Sequence, residues 1–139
     1  AGFSSATGED LIYPLIDHGP FRYQCVNVAS QQRDPTSFLN TIERMIRTRK
    51  ECPEFAWGTW QIVDPGTAQV LALRYELEGR TVVTLHNLGR TAQRVRLALG
   101  RGALRLIDLL SAQQHALPEG APYELELESY GYRWLRLVS

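Results

Sequence analysis

The sequence is short of the residues that usually announce a chemistry. Its 139 residues hold two cysteines, Cys25 and Cys52, and three histidines, His18, His86 and His115. Two thiols are too few for a disulfide framework and read as free cysteines. The histidines form no His-x-x-x-His, there is no Cys-x-x-Cys, and no acidic ligand cluster accompanies them, so ligand spacing argues against a metal site. Each imidazole reads instead as a surface or hydrogen-bonded group. The glycines fall into neither Gly-x-Gly-x-x-Gly nor a P-loop, and no cofactor is expected. Ser4 and Ser5 lack a Gly-x-Ser-x-Gly elbow and the cysteines lack a thiol-enzyme context, which leaves nucleophilic catalysis without support.

Charge of one sign is missing too. Fifteen Lys and Arg balance fifteen Asp and Glu, so no global field exists to concentrate nucleic acid, an anionic membrane or an acidic substrate. No apolar run approaches the ~20 residues that span a bilayer, and AGFSSATGED lacks the basic-then-apolar order of a signal peptide. The chain is expected to be soluble and cytoplasmic, with no nucleic acid and no membrane among its partners. A composition of 44% hydrophobic and 22% charged residues is that of an ordinary folded chain.

What is present divides into three segments. Residues 1–33 contain Gly2, Gly8, Pro14, Gly19 and Pro20 without a sustained period of 2 or 3.6, which predicts a loop-rich stretch. Residues 34–51 read as a helix opened by Asp34 at the N-cap and Pro35 at the first helical position. Phe38, Leu39, Ile42, Met45 and Ile46 form its apolar stripe, Arg47, Arg49 and Lys50 load its end with cations, and Pro53 stops it.

In residues 58–139 the period changes to 2. Strands are expected over 59–63, 69–77, 81–87, 93–99, 104–109, 123–128 and 132–138, separated by turn residues such as Asp64-Pro65-Gly66 and Glu78-Gly79. Seven short strands at such spacing leave no room for crossover helices, so the fold class is mainly β, an antiparallel sandwich. Val95, Leu97 and Leu99 alternate with Arg94 and Arg96, while Leu125 and Leu127 alternate with Glu124, Glu126 and Glu128. One face packs and the other is wet, and the two charge ladders suit cross-strand pairing.

Several stretches carry a resemblance. Val26-Asn27-Val28, Gln31-Gln32, Asp34-Pro35-Thr36-Ser37-Phe38-Leu39-Asn40 and Ile46-Arg47-Thr48-Arg49-Lys50-Glu51-Cys52-Pro53 resemble the region around the last barrel helix in the α-amylase family, glycoside hydrolase family 13. The branch is that of trehalose synthase and oligo-1,6-glucosidase. Ala1-Gly2-Phe3-Ser4 resembles the element after the eighth barrel strand. Glu54-Phe55-Ala56-Trp57-Gly58-Thr59-Trp60 is similar to the approach to the C-terminal β-domain, and Tyr130-Gly131-Tyr132-Arg133-Trp134-Leu135 to that domain's last strand.

The resemblance implies that 1–33 is the loop segment after the last strand of a (β/α)8 barrel, 34–51 the last barrel helix and 58–139 the C-terminal antiparallel β-domain. In that family the nucleophilic Asp, the acid/base Glu and the second Asp precede the point matching Ala1, so no residue here is assigned a catalytic role. The residues agree, since retaining glycosidases need two carboxylates about 5–5.5 Å apart and nothing in the sequence fixes such a pair.

The expected function is therefore a non-catalytic β-domain supporting the catalytic barrel of an enzyme that rearranges or hydrolyses α-glucosides such as maltose, with trehalose synthase ahead of oligo-1,6-glucosidase. A free-standing carbohydrate-binding module is the alternative, with Trp57, Trp60, Trp134, Tyr130 and Tyr132 as available rings; core packing is the competing use of each. A protein-interaction domain without a sugar ligand is a third reading. Phe3 is the substrate-contact candidate, because the resemblance places its loop near the barrel mouth. The partners expected are the barrel and, for the chain alone, a second copy joined through the apolar face of the helix.

Overall fold

The computed structural model describes residues 5–99, 105–117 and 122–138. It divides into two compact units, Ala1–Arg47 and Thr48–Ser139.

The first unit is built on polar capping. A single 3-10 turn at Gly8–Asp10 precedes α1 (Val28–Arg33), and α2 (Phe38–Glu51) follows. Asn27 caps α1 by accepting from the Ser30 amide at 2.8 Å, and its own amide nitrogen donates to the Tyr23 carbonyl at 2.9 Å. A six-residue helix is too short to show a period, which is why the sequence reads it as loop. The helix expected from Asp34 begins at Phe38 instead. Asp34 Oδ1 is taken by the Thr36 amide and hydroxyl, at 2.8 and 2.7 Å, so Asp34-Pro35-Thr36 is a side-chain-closed turn. Those hydrogen bonds, the hydroxyl's first, hold the Asp34 carboxyl below its ordinary pKa. Ser37 is the cap: its Oγ accepts from the Asn40 amide at 3.2 Å and donates to the Gln31 carbonyl at 2.7 Å. Gln31 Oε1 accepts from the Leu39 amide, and Asn40 Nδ2 donates to the carbonyls of Gln31 and Asp34.

The second unit is an antiparallel sandwich entered through a short helix, α3 (Glu54–Trp57). Its strands are β1 (Thr59–Ile62), β2 (Val70–Leu77), β3 (Arg80–Asn87), β4 (Gln93–Leu97), β5 (Arg105–Asp108), β6 (Gln114–Ala116), β7 (Tyr123–Leu127) and β8 (Tyr132–Val138). The sequence reading has no counterpart to β6, three residues of mixed polarity. One sheet runs β1-β2-β3-β8-β5-β6 and the other is the pair β4-β7. Glu78 and Gly79, both at positive φ, make the tight β2 to β3 turn, the backbone that matches strand twist in a two-residue hairpin. Leu104 and the expected turn at Gly100–Gly102 lie outside the described residues.

The core lies between the sheets. Val70, Ala72, Val83, Leu85, Leu106 and Leu135 of the larger sheet meet Val95, Leu97, Tyr123 and Leu127 of the smaller one. The outward residues of the small sheet pair as the alternation implies: Arg94 stands opposite Glu126 and Arg96 opposite Glu124, with Arg96 Nε 3.7 Å from Glu124 Oε1. Such exposed pairs contribute only ~0–1 kcal/mol.

Asn87 ties the two sheets together at one end. Its buried amide nitrogen donates to the carbonyls of Thr91 and Glu128, at 2.8 and 2.7 Å, and its Oδ1 accepts from the Gly89 amide at 2.9 Å. Replacing it strands these groups without partners. We expect Asn87→Ala to cost about 1–3 kcal/mol, read as a lower urea midpoint at unchanged slope; an unchanged midpoint would show that water replaces the side chain at no cost.

Candidate functional site

Two groups of side chains stand out in the second unit, and both belong to the face of the six-stranded sheet turned away from the core. The first is a buried ionic cluster. Glu54, on the first turn of α3, is fully buried. Arg136 Nη2 on β8 donates to its Oε2 at 3.4 Å, and Arg80 Nε on β3 lies 3.7 Å from its Oε1. Arg136 Nη2 also donates to the buried Cys52 Sγ at 3.2 Å. Burial pushes the Cys52 thiol above its ordinary pKa, outweighing the opposing charge of Arg136. Both cysteines are free, and Cys52 is inert by burial rather than poised for reaction.

The same helix lays Phe55 across the sheet. Its ring meets Tyr75 edge-on at 5.0 Å and Trp134 at 5.1 Å, so Trp134, one of the rings open to sugar contact on sequence grounds, is a packing residue at 9% exposure. Gly58 lets the chain leave α3 and enter β1, because a Cβ there would stand 2.5 Å from the Glu54 carbonyl oxygen and 2.8 Å from that of Glu76.

The second group is wet. Trp57 is 80% exposed, Trp60 65% and Ile62 69%, with Leu71, Tyr130 and Tyr132 also open to solvent. Trp60 stands opposite Tyr75 in the β1–β2 register and Ile62 opposite Leu73, which puts both on the Phe55 side of the sheet, since directly opposed residues share a face. Tyr132 stacks on His86 at 6.5 Å, and burial draws the His86 pKa below its ordinary value.

Of the remaining sequence candidates, Phe3 and Ser4 lie outside the described residues. His18 sits beside Asp17 on an exposed loop, and His115 packs against Tyr123 at 6.0 Å. Among the described residues no three of His, Cys, Asp and Glu converge on one point. Buried carboxylates among those residues are Glu54 and Asp108. Asp108 accepts from the Leu110 amide and faces Arg133 on the core side of the sheet, since it registers with the core residue Leu135. The two acids therefore stand on opposite faces, each committed to arginine.

The sequence reading missed the Glu54 cluster. Nothing local to Glu54 marks it for burial, because the arginines that allow the carboxylate to be buried lie on distant strands, Arg136 being 82 positions away. Removing one partner leaves charge uncompensated. We expect Arg136→Met to destabilise the domain by about 3 kcal/mol, the low end for breaking a buried pair because Arg80 still faces the carboxylate, and to speed alkylation of Cys52 by iodoacetamide as α3 opens. Unchanged stability and labelling would show that the arginine is dispensable.

Comparison with known proteins agrees with this architecture. A family model described as the sucrose hydrolase-like C-terminal domain matches residues 79–136. The trehalose synthase of Pimelobacter sp. is 33% identical over 142 residues, covering 99% of this chain and 25% of that protein. The trehalose synthase/amylase TreS of Mycobacterium tuberculosis is 31% identical over 143 residues, covering all of the chain and 24% of that protein. The chain thus spans about a quarter of the length of these relatives. In fold it superposes on the trehalulose synthase MutB of Pseudomonas mesoacidophila with a TM-score of 0.66 at 23% identity, covering 84% of the chain and 20% of that structure. Among the described residues no helix is long and apolar enough to cross a membrane. With a sandwich of this topology, the matched domain model and relatives aligned along its length, the chain belongs to the α-amylase family, glycoside hydrolase family 13, as a C-terminal domain of the trehalose-synthase type.

Proposed function

We propose that this chain is a non-catalytic part of a larger cytoplasmic enzyme acting on α-glucosides, and that it covers and steadies the catalytic barrel. Residues 34–51 then correspond to the last barrel helix and 58–139 to the β-domain. One observation carries the reading: among the described residues of the first unit, no apolar side chain is buried. Phe38 is 75% exposed, Ile42 and Ile46 are open on the same stripe of α2, and Ile12, Tyr13, Ile16 and Phe21 are open ahead of it. A folded unit does not ordinarily leave every one of its apolar side chains short of full burial. Burying such side chains is worth ~1.5–3 kcal/mol each, so the stripe alone forgoes several kcal/mol even after discounting for a compact unfolded state. A barrel to which α2 belongs supplies the missing surface.

The relatives named trehalose synthase point to interconversion of maltose and trehalose as the parent activity, with hydrolysis of α-glucosides the neighbouring possibility. The carboxylates do not support chemistry in this chain itself, because Glu54 and Asp108 are divided by the sheet and tied to arginine. A second reading, a carbohydrate-binding module, draws on the exposure of Trp57 and Trp60, flat rings of the kind that stack on pyranoses.

The chain alone is expected neither to hydrolyse maltose nor to convert it to trehalose, and to show no saturable heat on titration with maltose. Product rising with protein concentration would overturn the non-catalytic assignment, and a micromolar binding site would move the reading to the module. The chain alone is also expected to self-associate through α2, an isologous pairing of Phe38, Ile42 and Ile46 being the available cover. Sedimentation over a concentration series checks this, with a clean monomer at high micromolar concentration as the contrary result.

A further inference from the structure

Among the described residues three buried side-chain atoms have no hydrogen-bond partner: Glu54 Oε1, Arg136 Nε and Trp134 Nε1. All three belong to the strip of sheet under α3. Trp134 and Arg136 alternate along β8 and so share a face, Glu54 Oε2 accepts from Arg136 Nη2, and Phe55, the residue after Glu54, packs its ring on Trp134 at 5.1 Å. Buried polar groups are almost always paired, so three orphans gathered under one short helix call for a common partner. The ion pair beside them is loose. A carboxylate clasped side-on by a guanidinium accepts from Nε and Nη2 together, at about 2.7–2.9 Å. Here Nη2 reaches Oε2 at 3.4 Å, and Arg80 Nε stands 3.7 Å from Oε1 without a hydrogen bond. Because a guanidinium carries its Nε–H on the same side as Nη2, the free donor is turned toward the carboxylate whose other oxygen is free.

We infer that one water molecule is bound under α3 as a structural ligand, accepting from Arg136 Nε and Trp134 Nε1 and donating to Glu54 Oε1. A water bridges atoms up to about 5.5 Å apart, twice a hydrogen-bond length, and buried waters make about three hydrogen bonds to groups the protein leaves unpaired. The donor set selects water over an ion. An anion would accept from the two N–H groups but meet the Glu54 carboxylate, and a metal cation would suit the carboxylate but face two donors and a guanidinium. Water accepts twice and still donates, which is what the three atoms require. It also explains how a carboxylate with no exposed surface is kept by arginines too distant to clasp it: the bridge satisfies the oxygen they miss and ties α3 to β8.

The test is a crystal structure of the intact polypeptide that contains the chain, at a resolution that orders single waters, for the native protein and for Arg136→Lys and Trp134→Phe, with a bromide soak of the native crystals. One density peak is expected within about 2.7–3.2 Å of all three atoms, with no anomalous signal after the soak. Arg136→Lys keeps the charge and withdraws Nε, while Trp134→Phe keeps a ring under Phe55 and withdraws Nε1. Each is expected to lower the occupancy of the peak at least twofold and to lower the unfolding midpoint, the two together by less than the sum, because they remove the same water. A bromide signal at the peak would assign the site to an anion, Nε seated directly on Oε1 with no peak would show the ion pair closing by itself, and a peak out of reach of Trp134 Nε1 would divide the three atoms; any of these overturns the proposal. Should a variant fail to fold, the native density alone decides.

Discussion

A β-sheet has two faces, and a two-stranded ribbon can cover only one face of a six-stranded sheet. Most of what is distinctive here follows from that mismatch. The ribbon β4–β7 closes the core side, and its own outer side is free to be charged. The central strand β3 is then buried on both faces at Val82, Val83, Thr84 and Leu85, whereas the edge strand β1 is wet throughout. Something other than a strand must cover Val82 and Trp134, and the molecule uses the four residues of α3.

So small a helix has little apolar surface with which to hold its place, and the buried Glu54 answers that need. Its net contribution to stability is small, because taking a carboxylate out of water offsets most of its attraction to Arg136 and Arg80. Its effect on alternatives is large. Any placement of α3 that draws Glu54 away from those arginines while keeping it buried leaves a lone carboxylate in an apolar setting, at a cost of several kcal/mol. The pair thus fixes where the chain crosses the sheet, and Gly58 fixes where it turns into β1. Position is specified by charge and close approach, while adhesion comes from Phe55.

This division explains what was legible in the sequence. Alternation wrote out the β4 and β7 ladders and the other main strands, because one-sided burial leaves a period of 2. It did not reveal β6, too short and mixed to alternate, or α1 and α3, each too brief for a helical period. The start of α2 was misplaced because Asp34 has two local uses with one sequence signature, a helix cap and a side-chain-closed turn, and the competition was settled by Thr36 supplying two donors and Ser37 taking the cap. Trp134 and Trp60 are one residue type with opposite fates, buried under Phe55 or open at the edge. Only the strand order decides between them, and strand order is a long-range property.

The same view bears on how far a family resemblance carries function. The polar residues of the stretch that carries the family resemblance, Asn27, Gln31, Asp34, Ser37 and Asn40, are engaged with nearby backbone groups around the starts of α1 and α2. Their side-chain groups satisfy amides and carbonyls that a helix end leaves orphaned, which is a task of folding rather than of substrate recognition. A motif of this kind identifies a lineage because it builds a particular helix start, and it is silent about the sugar that lineage handles. Substrate choice must then be set by side chains that face the sugar, and the shared fold leaves them free to vary. A C-terminal domain of one architecture therefore occurs in enzymes named for trehalose and for trehalulose alike.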